Sequence, residues 1–126
     1  MSDDAQSVGL LLSDDWLFNS RITATARACG RQIDPIRTVA ELRDKLLACQ
    51  PPSLFVDLSC PGLDVKALMA LIAELSQAPI KVIVYGSHVD AAGLRKAREA
   101  GCDIVLPRSQ FVQELPQQLV NWMGGT

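Results

Sequence analysis

The chain has no excess of positive charge. Twelve Lys and Arg stand against 14 Asp and Glu, a formal net charge of −2, so no global positive field draws it to nucleic acid or an anionic membrane. Long apolar runs are also missing: the longest are strand-sized, far short of the roughly 20 residues that cross a bilayer. The N-terminus, Met1 to Ser7, is acidic and polar, the opposite of a secretory leader. There is one histidine, His88, and the four cysteines, Cys29, Cys49, Cys60 and Cys102, form no C-x-x-C pair. A zinc site would need distant segments to converge, so the thiols read as reduced and mostly buried, and the setting as cytoplasmic. No repeat, low-complexity tract or linker divides the chain. These absences point away from a secreted, membrane or DNA-binding protein.

What remains is globular: 48% hydrophobic and 21% charged residues over 126 positions, enough to bury roughly two thirds of the unfolded surface in one domain. The expected domain spans 1–126, with its core at about 8–123 and no output domain. Strand and helix periods alternate throughout. Val8–Leu12 is a continuous apolar run, the mark of a strand buried on both faces. A helix carrying Phe18, Ile22, Ala26 and Cys29 on one stripe follows, ended by Gly30. Residues 32–37 alternate but contain Pro35, which predicts a weak strand near a sheet edge. Thr38 and Glu41 form a capping box ahead of Val39, Leu42 and Leu46.

Leu54-Phe55-Val56 is the next buried strand and ends on Asp57. Asp64 can cap a helix with Leu68, Leu71, Ile72 and Leu75 on its stripe. Val82–Tyr85 runs into the Gly86-Ser87 turn, and Asp90 can cap a helix through Leu94, Ala97 and Ala100, stopped by Gly101. Ile104–Leu106 is the last strand. The closing helix carries Phe111, Leu115, Leu119 and Trp122, and Pro116 predicts a kink there or a late start. Five β-α units with short loops make a parallel sheet with helices on both faces, and ligands in such sheets bind beyond the carboxyl ends of the strands.

That edge collects Ser13-Asp14-Asp15, Asp57, Gly86-Ser87 and Arg108. Three converging carboxylates repel unless a cation offsets them, and a hard divalent ion with oxygen ligands, Mg²⁺, suits them. A carboxylate beside such an ion can also act as a nucleophile toward a phosphoryl group. Each residue has a plainer reading as well. Asp14 and Asp15 could be a solvated turn or a helix cap, and Arg108 could pair with Asp57 as a structural ion pair.

The acidic pair after the first strand, together with Asp57-Leu58-Ser59-Cys60-Pro61-Gly62-Leu63-Asp64, resembles the CheY-like receiver domain of two-component response regulators. The resemblance covers essentially the whole chain, from Val8 to Met123. It implies an α/β, flavodoxin-like (βα)5 three-layer sandwich with strand order 2-1-3-4-5. It also implies Asp57 as phosphoryl acceptor, and Mg²⁺ held by Asp14, Asp15, Asp57 and the Ser59 backbone carbonyl. The Ser87 backbone N–H would meet the phosphoryl group.

Three departures accompany it. Gly86 stands where the family has Ser or Thr, Arg108 where it has Lys, and Val105 where it has an aromatic switch residue. Ser109 also replaces the usual proline, and a cis Arg108–Ser109 bond would cost roughly 3 kcal/mol. Arginine keeps the charge of lysine but is larger and planar.

Cys60 reads as packing rather than a redox sensor, and His88 as solvated. Arg95, Lys96 and Arg98 read as the polar face of a helix. The resemblance implies an atypical single-domain receiver taking a phosphoryl group from a histidine kinase or phosphotransfer protein. It would signal through a downstream protein on the fourth helix–fifth strand–fifth helix face, with homodimerisation open. Chemistry would be limited to its own phosphorylation and dephosphorylation, not metabolic turnover. The alternative is a phosphorylation-independent pseudo-receiver, an interaction module in which Arg108 locks Asp57. A small Mg²⁺-dependent phosphohydrolase is weaker, because Ser59 stands where a second catalytic acid would be needed.

Overall fold

The computed structural model describes residues 8–124. The acidic stretch Met1–Ser7 and the outer limits of the 1–126 domain lie outside the described residues. The elements are β1 (Val8–Leu12), α1 (Trp16–Ala28), β2 (Gln32–Ile36), α2 (Val39–Ala48), β3 (Ser53–Asp57), α3 (Val65–Leu75), β4 (Lys81–Gly86), α4 (Ala91–Glu99), β5 (Ile104–Pro107) and α5 (Arg108–Trp122). The five strands form one parallel sheet in the order β2-β1-β3-β4-β5, as expected of the flavodoxin-like α/β class. Pro35 lies in β2 at the sheet edge, where its missing N–H breaks no central ladder.

Alternation along the strands sorts the core into two layers. Leu10, Leu12, Leu54, Val56, Val82 and Val84 pack with α2, α3 and α4 through Leu42, Leu46, Leu68, Ile72, Leu94 and Ala97. Leu11, Phe55, Ile83 and Tyr85 point to the other face and meet α1 and α5 through Ile22, Ala26, Phe111, Leu115, Leu119 and Trp122. The first layer is aliphatic. The second holds five of the six aromatic rings once the half-buried Phe18 is counted.

The caps follow the sequence. Thr38 Oγ1 accepts from Glu41 N–H, and Glu41 reaches back to the N–H of Arg37, one residue beyond the cap. Asp64 and Asp90 cap α3 and α4 by accepting from Ala67 and Gly93 N–H. Gly30 and Gly101 end α1 and α4 at φ 74° and 94°, which only glycine adopts at little cost.

Two expectations need correction. α5 runs unbroken from Arg108 with Pro116 inside it, so the late start is not found. Pro116 lies on the exposed side, where water can satisfy the freed carbonyl, while Phe111, Leu115, Leu119 and Trp122 anchor the helix on both sides of it. The cysteines are free, but only Cys60 is buried; Cys29 and Cys102 are half-buried and Cys49 is exposed.

Candidate functional site

Asp57 ends the central strand and is 1% exposed. A carboxylate there is costly unless hydrogen-bonded. Its Oδ1 accepts from the Ser59 backbone N–H at 2.8 Å, and its Oδ2 from the Ser13 hydroxyl at 3.0 Å. The Arg108 guanidinium approaches Oδ1 at 3.7 Å. Both oxygens are thus held, and the charge has a counter-ion on the solvent side.

Ser13 stands at that edge without a role in the sequence reading, and register explains why it matters. Leu12 of β1 is level with Val56 of β3, so the next residue along each strand sets Ser13, not Asp14, beside Asp57. Ser13 is wholly buried. It accepts from Asp15 N–H at 3.2 Å, and its carbonyl accepts from the Asn19 amide at 3.0 Å. The first residue after each apolar run was the signal for this pairing.

The acidic pair divides. Asp15 caps α1, its Oδ1 accepting from Phe18 N–H at 3.1 Å, which is the helix-cap reading. Asp14 is exposed, yet it lies near the loop that follows β3. The buried Cys60 thiol is pushed above its ordinary value first by burial, then by the charges of Asp14 and Asp57 together. Among the described residues no group of three or more His, Cys, Asp or Glu side chains is placed to hold a metal. What stands at the edge is an all-oxygen pair of carboxylates, Asp14 and Asp57. That set still fits Mg²⁺, which takes one or two carboxylates and keeps several waters.

The far side of the site is apolar. Gly86 is buried and outside the left-handed region, so glycine stands there for room rather than for conformation. A Cβ at this position would lie 2.8 Å from Leu58 Cδ1 and 3.1 Å from Leu58 Cβ. Leu58 therefore occupies the space that a hydroxyl-bearing side chain would need. Ser87 does not fill the gap, since its hydroxyl accepts from Val89 N–H within its own turn at 3.3 Å. Val105 is buried in the aliphatic layer.

Arg108 is held by rings. Its guanidinium carbon lies 5.1 Å from the centre of Phe18 and 6.0 Å from that of Tyr85. Tyr85 in turn stacks on Phe111 at 4.5 Å. The Tyr85 hydroxyl is wholly buried without a hydrogen-bond partner among the described residues. Burial, and then the charge of Asp57, pushes its pKa far above the ordinary phenol range. There is no cis peptide among the described residues, so Arg108–Ser109 is trans. His88 and the helix-four cations Arg95, Lys96 and Arg98 are exposed.

No protein-family model matches this sequence, and no curated protein does. Solved structures match it closely in shape. A putative response regulator from Chloroflexus aurantiacus superposes with a TM-score of 0.78 at 20% identity, covering 94% of this chain and 98% of its own. A response regulator receiver protein from Burkholderia phymatum gives 0.78 at 20% identity, covering 95% and 97%. The receiver domain of a sensor histidine kinase from Pseudomonas aeruginosa, solved with a magnesium ion coordinated in its active-site cleft, gives 0.78 at 17% identity, covering 94% and 98%. In strand order, helix placement and extent, this chain has the fold of response-regulator receiver domains.

Proposed function

We propose that the chain is an atypical receiver in two-component signalling that accepts a phosphoryl group on Asp57. The observation that carries this reading is a carboxylate 1% exposed at the end of the central strand, held at both oxygens and facing a cation across the ligand edge of the sheet. A buried acid in that position is expensive without a use. In the reaction a carboxylate oxygen forms the new P–O bond as the donor's P–N bond breaks, and the imidazole of a phosphohistidine leaves with the electron pair.

Ser59 N–H and Ser13 hydroxyl orient the nucleophile, and Arg108 offers charge to the transferring group. Asp14, Asp57 and the Ser59 carbonyl would hold Mg²⁺, which supplies charge neutralisation at the phosphoryl oxygens when bound. The donor would be a histidine kinase or phosphotransfer protein. The output would be contact with a downstream protein through the α4–β5–α5 face, and each transfer is stoichiometric signalling rather than turnover.

A second reading has its own support. Leu58 filling the room beside Gly86, and Arg108 already paired with Asp57, favour a pseudo-receiver that binds partners unmodified. Intact mass after incubation with Mg²⁺ and a small phosphodonor separates the two. A single phosphoryl adduct, lost in Asp57→Asn, is the expected result. A folded protein with no adduct leaves the pseudo-receiver.

A further inference from the structure

Helix α3 (Val65–Leu75) has nearly the same chemistry read from either end. About Ala70 its residues match in pairs: Val65 with Leu75, Ala67 with Ala73, Leu68 with Ile72 and Met69 with Leu71, while Lys66 and Glu74 are opposite charges. Burial follows the same symmetry. Leu68 and Ile72 hold the helix to the aliphatic layer, Met69 and Leu71 are half-buried, and Lys66, Ala67, Ala70, Ala73 and Glu74 are exposed. An open groove lies on each side of α3, one toward α2 and one toward α4, so among the described residues no segment covers this face. The two charges run against the rule for a lone helix. Lys66 lies in the first turn and Glu74 in the last, where the helix dipole favours the opposite signs. Neither pairs with an opposite charge among the described residues.

We propose that two copies of this chain pair through α3, with the helices antiparallel about a two-fold axis at Ala70. Lys66 and Glu74 each stand four residues from Ala70, about 6 Å along the helix. The two-fold therefore sets each Lys66 level with the partner's Glu74, and the pair forms twice. A two-fold contact needs a self-complementary surface of this kind. It also turns each end of the helix toward the opposite pole of its partner, so charges that are misplaced in one copy are matched in two. Only methyl groups project at positions 67, 70 and 73, which allows the near end of the helix-packing range, about 8 Å between axes. The outer face of α4 does not offer this: Arg95, Lys96 and Arg98 are exposed there against Glu99 alone, and two copies would repel. One helix face is small for an interface, which puts the dimer in the weak, reversible class. Acceptance of a phosphoryl group on Asp57 is not required for this pairing.

The test is sedimentation velocity on the full chain at low salt, from micromolar to millimolar concentration. A monomer–dimer equilibrium is expected, weakened by added NaCl. Lys66→Glu and Glu74→Lys should each weaken it about tenfold, since either one turns two attractive pairs repulsive. Both reversals suit the helix dipole better than the native charges do, so neither variant should melt below the parent when dilute. An equimolar mixture of the two variants should form a heterodimer, and the double variant Lys66→Glu/Glu74→Lys should associate as the parent does. Asp57→Asn should also associate unchanged, which keeps this result separate from any failure of phosphoryl acceptance. A chain that stays monomeric at millimolar concentration overturns the proposal. A dimer indifferent to both reversals overturns it as well and moves the contact to another face. Two variants that remain monomeric when mixed would overturn the antiparallel arrangement.

Discussion

The two faces of the sheet are built from different side chains, and each meets the carboxyl edge of the strands, where Asp57 lies, in its own way. On the α2–α4 face the layer is aliphatic throughout, and at the edge it advances Leu58 into the space beside Gly86. On the α1–α5 face the layer is aromatic, and at the edge its rings take up the cation: Phe18 and Tyr85 flank Arg108, with Phe111 stacked behind. Two of the departures from the receiver pattern, at Gly86 and Arg108, thus follow the chemistry of the layer beneath them. Leucine fits where only methyls surround the site, and a planar guanidinium suits a bed of rings better than an ammonium does. These two are local packing solutions, one on each face.

The strongest way to break this contrast is Phe111→Ala. Phe111 is wholly buried between Tyr85 and Trp122, and its loss should cost about 3–5 kcal/mol in urea denaturation. The Arg108 Nε–H resonance should broaden as well, because its bed of rings loosens. Leu68→Ala on the aliphatic face should cost a comparable ~2–5 kcal/mol and leave that resonance in place. Equal disturbance of Arg108 by both variants would sink the idea of two independent layers.

Next in size is Gly86→Thr. The new Cβ meets Leu58 at 2.8 Å, an overpacking worth about 1–3 kcal/mol. Leu58→Ala should relieve it, giving a favourable coupling of about 1 kcal/mol in a double-mutant cycle. Additive costs would mean that Leu58 is not the obstacle.

Phe18→Leu should be milder. It removes one cation–ring contact at a partly exposed site, about 0.5–1 kcal/mol, and it should raise the exposure of Arg108, read as faster exchange of its Nε–H.

The smallest effects are alkaline, and the layers divide there too. Cys102 packs on the aliphatic layer, and burial with the charge of Asp103 pushes its thiol up to about 11 from 9.0. The folded state therefore holds this proton longer than the unfolded chain does. Its contribution is whole below pH 9 and is lost as pH rises from 9 to 11. Tyr85, on the aromatic layer, has a folded value raised further still above 10.0, so its contribution is lost only above pH 10. As Tyr85 is the chain's sole tyrosine, phenolate absorbance at alkaline pH should appear together with unfolding and not before it. Phenolate in a folded protein would contradict the burial of that hydroxyl.

Much of this was legible in the residues. Apolar runs and helical stripes placed all ten elements, and caps such as Thr38, Asp64 and Asp90 marked helix starts because a side-chain oxygen there satisfies an otherwise unpaired N–H. Asp57 was legible for a similar reason: an acid that ends a fully apolar strand contradicts its surroundings. What escaped was whatever depends on lateral register. The pairing of Ser13 with Asp57 needs β1 and β3 aligned, and the sequence offered the neighbouring acids as louder candidates. The Leu58–Gly86 contact and the ring bed of Arg108 join residues that are 28 and 90 positions apart, counted from Leu58 to Gly86 and from Phe18 to Arg108. No local pattern encodes such contacts. Pro116 left a kink and a late start open, and the late start gave way to four buried anchors along the same helix.

The fit of Leu58 against Gly86 also bears on how this site can change. A side chain at 86 and a full leucine at 58 compete for one volume, so the value of either residue depends on the other. Selection for a hydroxyl at 86, in a laboratory library or over generations, should recover it readily only where position 58 has first become small. While leucine fills the gap, the one-step route carries the whole overpacking cost, and the pair resists reversal.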